Sequence, residues 1–262
     1  MQPIRSLVLP LGLALAAPGV VHAQQRGAGF TASERVPAGT WVRIRNVNGE
    51  VQVHPSTTGR VEVTATVRRR GDPPEVRFTT TRGRDGSLLV CALFTPRATC
   101  TEDGYDSHDE GERHSGNDES AVAFDVRVPA GVKVGAYTVN GAVRVDGMAA
   151  EVRAATVNGG VTATSVGGPV EASTVNGSIH ASMGRWEGGR ELKFSTVNGS
   201  VVADFAEVPN AEVELSTVNG RAESDWTATS RTDPRHLSAT LGSGGSRIRL
   251  STVNGSVAVR KR

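Results

Sequence analysis

The chain has 262 residues, with 29 Lys and Arg against 27 Asp and Glu, 31 Gly, two Cys and only 4% aromatic residues. A net charge of +2 excludes a protein built mainly to hold nucleic acid, which needs clustered, uncompensated cations.

The first element in chain order is a secretory signal over residues 1–23. Arg5 precedes an apolar run from Leu7 to Val21, and Val21-His22-Ala23 is a small-residue cleavage site. Pro10 and Pro18 interrupt the run, which is short for a membrane span. Without those 23 residues, which carry one Arg and no acid, 239 remain with 28 basic and 27 acidic side chains. The expectation is an exported protein without a membrane span after cleavage, placed in the periplasm, on the cell surface or in the medium. Residues 24–262 then read as a single β-repeat domain.

A motif recurs through that domain: Asn-Val-Asn-Gly at 46–49, then Thr-Val-Asn-Gly at 138–141, 156–159, 174–177, 196–199, 217–220 and 252–255. Its third residue gives a column of Asn48, Asn140, Asn158, Asn176, Asn198, Asn219 and Asn254, spaced 92, 18, 18, 22, 21 and 35. Fixed intervals of this kind mark stacked supersecondary units.

Six and four residues before each Asn stand apolar columns, from Val42 and Ile44 in the first copy to Ile248 and Leu250 in the last. The residues between them, such as Arg43, Arg153, Glu171, Lys193 and Arg249, are mostly charged. Alternation of this kind predicts a strand with one face buried. After the Gly, apolar columns resume three and five residues past Asn, as in Val51 and Val53 or Val143 and Val145. One extra residue between the arms predicts a corner, with Gly supplying backbone freedom. Continued parity turns the Asn side chains inward, where amides about 4.8 Å apart bond to one another as a structural ladder.

The fold class expected is therefore all-β: a repeat β-solenoid, like a parallel β-helix, with an inserted β-rich segment. The alternative is an antiparallel sandwich or meander in which each Asn-Gly is a hairpin turn. That alternative leaves the 18-residue interval and the recurrent Thr and Asn unexplained.

Residues 54–125 form the insert. Strand-like runs at 61–67, 75–80 and 87–94 precede an acidic tract, 102–119, with eight Asp and Glu and two His. The tract lacks the spacing of an EF-hand or of a zinc site, so no metal is assigned and the tract reads as a surface loop. Cys91 and Cys100, nine apart, are expected to form a disulfide in an oxidising compartment. The basic runs 68–70 and 260–262 read as solvated strand ends.

Length variation falls at the corner opposite Asn-Gly, the edge where repeat proteins place recognition. Arg185, Trp186, Arg190, Asp204, Asp225 and Trp226 lie near it and are candidate ligand-binding residues for a glycan or another envelope surface component. The competing reading has the two Trp cover the ends of a small-residue core. No nucleophile elbow, dinucleotide loop or P-loop occurs, so no catalytic residue or cofactor is assigned.

The VPAG lead-ins at 36–39 and 128–131, followed by TVNG units behind a signal peptide, resemble the bacterial putative-adhesin domain family. That resemblance covers roughly 30–260. It implies an all-β repeat fold at the cell envelope, an adhesive function and no catalytic residues. The expectation is a non-enzymatic binding module. A polysaccharide lyase or hydrolase on the same scaffold, and a self-stacking structural protein, are the alternatives.

Overall fold

The computed structural model describes residues 23–26, 29–107, 119–186, 188–226 and 233–262. The signal-like segment as far as 22, and 108–118 of the acidic tract, lie outside the described residues. Among those described there is no helix; the strands form sheets of eleven and ten strands and a two-stranded ribbon. No helix long and apolar enough to cross a membrane is present among them.

Each motif copy contributes one rung, named here by its Asn. The arm before the corner enters the eleven-stranded sheet A and the arm after it enters the ten-stranded sheet B. The Asn140 rung, for example, pairs Lys133–Tyr137 in sheet A with Val143–Met148 in sheet B. Because the two arms lie in different sheets, no Asn-Gly closes a hairpin, and the antiparallel alternative falls.

Successive rungs pair in parallel and in register. Val42, Val134, Val152 and Val170 lie over one another in sheet A. Val51, Val143, Val161, Ile179, Val201 and Val257 do so in sheet B. Both apolar columns are buried. Val and Ala fill the middle rungs, which keeps the coil narrow. Towards the ends it is plugged by Phe: Phe30, Phe78 and Phe124 at one end, with Phe78 centred 5.2 Å and 6.2 Å from the other two, and Phe194 and Phe205 near the other.

The spatial order differs from chain order at the C-terminal end. The last rung, Ser246–Asn254 with Val257–Lys261, lies between the Asn198 rung and the Asn219 rung. His236–Leu241 then caps the Asn219 arm of sheet A in antiparallel pairing. At the other end the insert forms the cap. Leu88–Leu93 and Glu119–Val128 run parallel to the two arms of the Asn48 rung. Arg77–Arg82 and Val61–Arg70 turn antiparallel on them. Antiparallel strands thus cover both sheets at the insert end and sheet A at the other, where sheet B ends on the short parallel strand Ala222–Ser224.

The corner is held three ways. The Asn amides form a chain: Asn140 Nδ2 donates to Asn48 Oδ1, and Asn158, Asn176, Asn198, Asn254 and Asn219 continue it in that order, each bond 2.8 Å. Each Thr hydroxyl donates to the Gly carbonyl of the adjacent rung, as Thr138 does to Gly49 O at 2.9 Å. The N–H of Gly49, Gly141, Gly159, Gly177, Gly199 and Gly255 each donates to an Asn carbonyl, as Gly159 does to Asn176 O at 3.0 Å.

Two expectations are corrected here. The amides do not face inward: six of the seven Asn are exposed and Asn48 is half-exposed. The inward column ends at the buried Thr, because the chain bends immediately after it, and Asn lies beyond the bend. A stacked amide at the surface keeps its second N–H in water, so it leaves no orphan donor. The coil depends on the valine columns and not on amide burial.

The glycine serves a different purpose from the one expected. Gly159, Gly177 and Gly220 lie outside the left-handed region that Gly49, Gly141, Gly199 and Gly255 occupy. What all seven share is close approach. A Cβ on Gly177 would stand 1.9 Å from Gly159 O, and one on Gly220 1.8 Å from Gly255 O. The first copy has Asn46 in place of Thr because its neighbour, the strand at 119–128, continues without a corner. The longer Asn46 amide reaches Val122 O at 2.8 Å.

Cys91 and Cys100 are joined. The bridge ties the ribbon of Thr99–Cys100 and Tyr105–Asp106 onto the outer face of sheet A, over Leu89 and Leu93, with Ala98 and Tyr105 packed beneath.

Candidate functional site

The outer face of sheet A presents residues seven, five and three places before each Asn. In a parallel in-register stack these become columns about 4.8 Å apart. At the capped end three rungs contribute Trp41, Arg43 and Arg45, then Lys133, Gly135 and Tyr137, then Glu151, Arg153 and Ala155. Lys133 lies beside Trp41, Gly135 beside Arg43 on one side and Arg153 on the other, and Tyr137 beside Arg45.

Gly135 opens a hollow in this surface. A Cβ there would come within 2.8 Å of Tyr137 Cε2 and 3.1 Å of its hydroxyl, so the phenol ring lies across the space that a side chain would fill. The Arg45 guanidinium stacks on that ring at 4.6 Å. Three cations surround the other aromatic: Arg153 at 4.9 Å, Arg43 at 5.1 Å and Lys133 at 5.6 Å from the Trp41 ring. Each such contact is worth about 0.5–1 kcal/mol at an exposed site.

Two carboxylates hold the cations. Glu151, whose side chain is 10% exposed, accepts from Arg190 at 2.6 Å and Arg153 at 3.1 Å and has Lys133 at 3.5 Å. Glu102, from the disulfide-tied ribbon, meets Arg43 at 3.2 Å. Glu171 lies 3.6 Å from Arg153, and Asp103 and Asp85 act on Arg45 and Arg43 respectively, so the cations of this face are matched by nearby acids. The Nε–H groups of Arg45 and Arg153 are buried without a hydrogen-bond acceptor.

Burial pushes the Arg45 guanidinium below its ordinary value, with Arg43 adding to the effect and Tyr137 and Asp103 opposing it. Burial likewise raises the Tyr137 hydroxyl, against the pull of Arg45, Arg153 and Arg43. The phenol is therefore neutral at physiological pH and acts as a ring face and hydrogen-bonding group. The arrangement sets guanidinium and ammonium groups beside two aromatic rings on one sheet face, which suits an anionic ligand with some apolar area.

The residues singled out from sequence are only partly brought together. Trp186 and Trp226 flank Phe205, centred 6.5 Å and 6.2 Å from it, and pack half-buried against the core. Trp186 Nε1 is buried without an acceptor, beside a cleft that Arg185, Glu207 and Pro209 also line. Arg190 instead reaches Glu151 on sheet A. Asp204 bonds His180 Nε2 at 2.8 Å on sheet B. Asp225 accepts from Lys261 N–H at 3.0 Å, and Arg260 is the register neighbour of Asp204 on the rung between the two Asp.

Trp41, Arg43, Arg45, Lys133, Tyr137 and Arg153 were not candidates from sequence. Their signal was available: two aromatics occupy outward columns that elsewhere carry charge, Ser, Ala or Pro. It shows only when the Asn48 copy is laid directly beside the Asn140 copy, across 92 residues of sequence. Among the described residues, no group of three or more His, Cys, Asp or Glu converges as a metal site would require.

Residues 125–260, just over half of the chain, match the family model described as Toastrack DUF4097. Among solved structures, the chain is similar to a putative cell adhesion protein from Clostridium sporogenes. That match has 7% identity and a TM-score of 0.48, over 93% of this chain and 100% of that one. It is also similar to a putative adhesin from Bacteroides fragilis, with 11% identity and a TM-score of 0.30, over 89% of this chain and 97% of that one. No curated protein matches.

Proposed function

This chain belongs to the Toastrack DUF4097 family, and from that premise we propose that it is an exported, non-enzymatic envelope protein that binds an acidic surface polymer. The polymer lies across the outer face of sheet A. One observation carries the reading: Arg43, Arg45, Lys133 and Arg153 are gathered around Trp41 and Tyr137 on a single open sheet face. Anionic sugars present carboxylate or sulfate groups beside apolar ring faces, and this surface offers a partner for each. The disulfide and the N-terminal signal pattern fit a site of action outside the cytoplasm. A catalytic reading has less support. His180 pairs with Asp204 at 2.8 Å and His54 with Asp146 at 3.3 Å, each contact using one carboxylate where glycoside hydrolysis uses two opposed across the substrate.

The test is retention of the exported protein on immobilised polygalacturonate, dextran sulfate and neutral dextran at rising salt. Binding to the acidic polymers that weakens with salt, and that falls at least tenfold on Lys133→Gln plus Arg153→Gln, is the expected result. Equal retention on neutral dextran, or no effect of the double substitution, would remove the proposal.

A further inference from the structure

Within that face, Glu102 stands where a ligand acid would. Its Oε2 lies 3.2 Å from Arg43 Nη1, its Oε1 accepts from Ser87 Oγ at 3.2 Å, and its main-chain carbonyl accepts from Arg45 Nη2. The cation beneath is sheltered and the carboxylate is not: the side chains are 18% and 48% exposed respectively. We infer that Arg43 and Ser87 form a carboxylate seat that the chain's own Glu102 occupies, with Arg45 holding the turn by its main-chain carbonyl, and that a carboxylated polymer docks by exchanging with the Glu102 side chain. This rests on the proposal that the sheet A face binds acidic polymers, and it names both the preferred acid and a device that weakens binding until exchange occurs.

The covalent structure favours this arrangement. Glu102 follows Cys100 by two residues, so the Cys91–Cys100 bridge fixes the base of its turn to the strand beside Arg43 and Arg45. Thr101 N–H closes that turn on Gly104 O at 2.8 Å. The ribbon is further anchored by Ala98 and Tyr105 on Leu89 and Leu93. Glu102 is therefore held at high effective concentration over Arg43. Only its half-exposed side chain must rotate for a ligand to enter, so exchange needs no opening of the fold. A carboxylate suits the seat better than a bulkier sulfate, because a planar acid can place one oxygen on the guanidinium and the other on the hydroxyl, as Glu102 does.

The experiment measures affinity for an oligogalacturonate and for dextran sulfate in the full exported chain, with Glu102→Gln, Asp103→Asn and both in an Arg43→Gln background. Asp103→Asn makes the same change in net charge on the same turn without emptying the seat. Glu102→Gln is expected to tighten oligogalacturonate binding about fivefold, the factor by which a half-exposed internal pair lowers the open fraction. Asp103→Asn should change it less than twofold, and the gain should vanish with Arg43→Gln. If Glu102→Gln does not tighten binding, or helps dextran sulfate equally, the seat is refuted, while a continued loss on Lys133→Gln plus Arg153→Gln leaves the binding face standing. If no acidic polymer binds any form, both fall.

Discussion

Replacing Gly177 by Ala tests why the corner is glycine. The new Cβ would stand 1.9 Å from Gly159 O, 2.5 Å from Gly159 C and 3.0 Å from Gly160 N, all main-chain atoms that no rotamer change can move aside. Ordinary contact begins near 3.4 Å, so the Asn158 and Asn176 rungs must separate locally by roughly 1.5 Å. Four of the shortest bonds across that corner are Gly159 N–H to Asn176 O at 3.0 Å, Asn176 N–H to Val157 O at 2.7 Å, Thr174 Oγ1 to Gly159 O at 2.9 Å and Asn176 Nδ2 to Asn158 Oδ1 at 2.8 Å. At about 1 kcal/mol net apiece, their loss or stretching should cost about 3–4 kcal/mol, with partial relaxation bringing the lower figure. The comparison is Gly39→Ala, where φ is +83° but nothing lies within 4 Å of the added Cβ; left-handed strain alone costs about 1–2 kcal/mol. Urea unfolding followed by tryptophan fluorescence measures both. A Gly177→Ala cost no greater than that of Gly39→Ala would show that close approach of the rungs does not select glycine at the corner.

Glu151→Gln removes a nearly buried carboxylate from three cations and should cost about 2–3 kcal/mol in the same unfolding assay, whereas a change under 0.5 kcal/mol would mean that solvent screens the cluster. Tyr137 should ionise above the ordinary value of about 10. Its folded pKa is raised by burial, so the stability it contributes is complete below about pH 10 and is lost as pH climbs through the folded value. Tyrosinate absorbance resolves this, since Tyr105 is the other tyrosine of the chain and Tyr137→Phe identifies the late step; ionisation at or below 10 would mean that the neighbouring arginines outweigh burial.

The rungs were legible because a two-residue alternation in phase with a fixed Asn leaves little freedom. Val42, Val134 and Val152 had to face one side, and the structure stacks them. The direction of the amides was not legible, because parity holds only while the backbone is extended, and the bend after Thr breaks it one residue before Asn. The role of the glycines was hidden for a related reason: distance to another rung is a property of stacking, and a single copy carries only φ preference. The proposed binding face was hidden by distance along the chain. Trp41 and Lys133 are register neighbours, yet the capping insert lies between them in sequence, so neither reads as part of a cluster. Trp186 and Trp226 drew attention because they are rare residues at a variable edge, and Phe205 accounts for their placement through packing.

The order of the last rungs makes the C-terminus structural. Ser246–Asn254 pairs with Leu192–Ser195 on one side and Ala211–Asn219 on the other, while Val257–Lys261 pairs with Val201–Phe205 and Ala222–Ser224. The final seventeen residues therefore fill a gap inside the stack, with Asn254 the bridge between Asn198 and Asn219. Removing a terminal rung of a solenoid normally peels one neighbour and leaves the rest, because contacts run only between adjacent units. Here, truncation after Gly245 would strip two sheets of an interior strand, uncover Leu192, Phe194, Leu215 and Ala203, and leave the Asn219 rung with no parallel partner. The strands between Leu192 and Leu241 should lose protection together, while those between Gly29 and Met183 keep theirs. Amide hydrogen exchange on the truncated chain separates the two outcomes. Protection that disappears only at 211–226, with 192–205 unchanged, would show that the Asn198 rung is stable as an end and that the inserted rung does not close the stack.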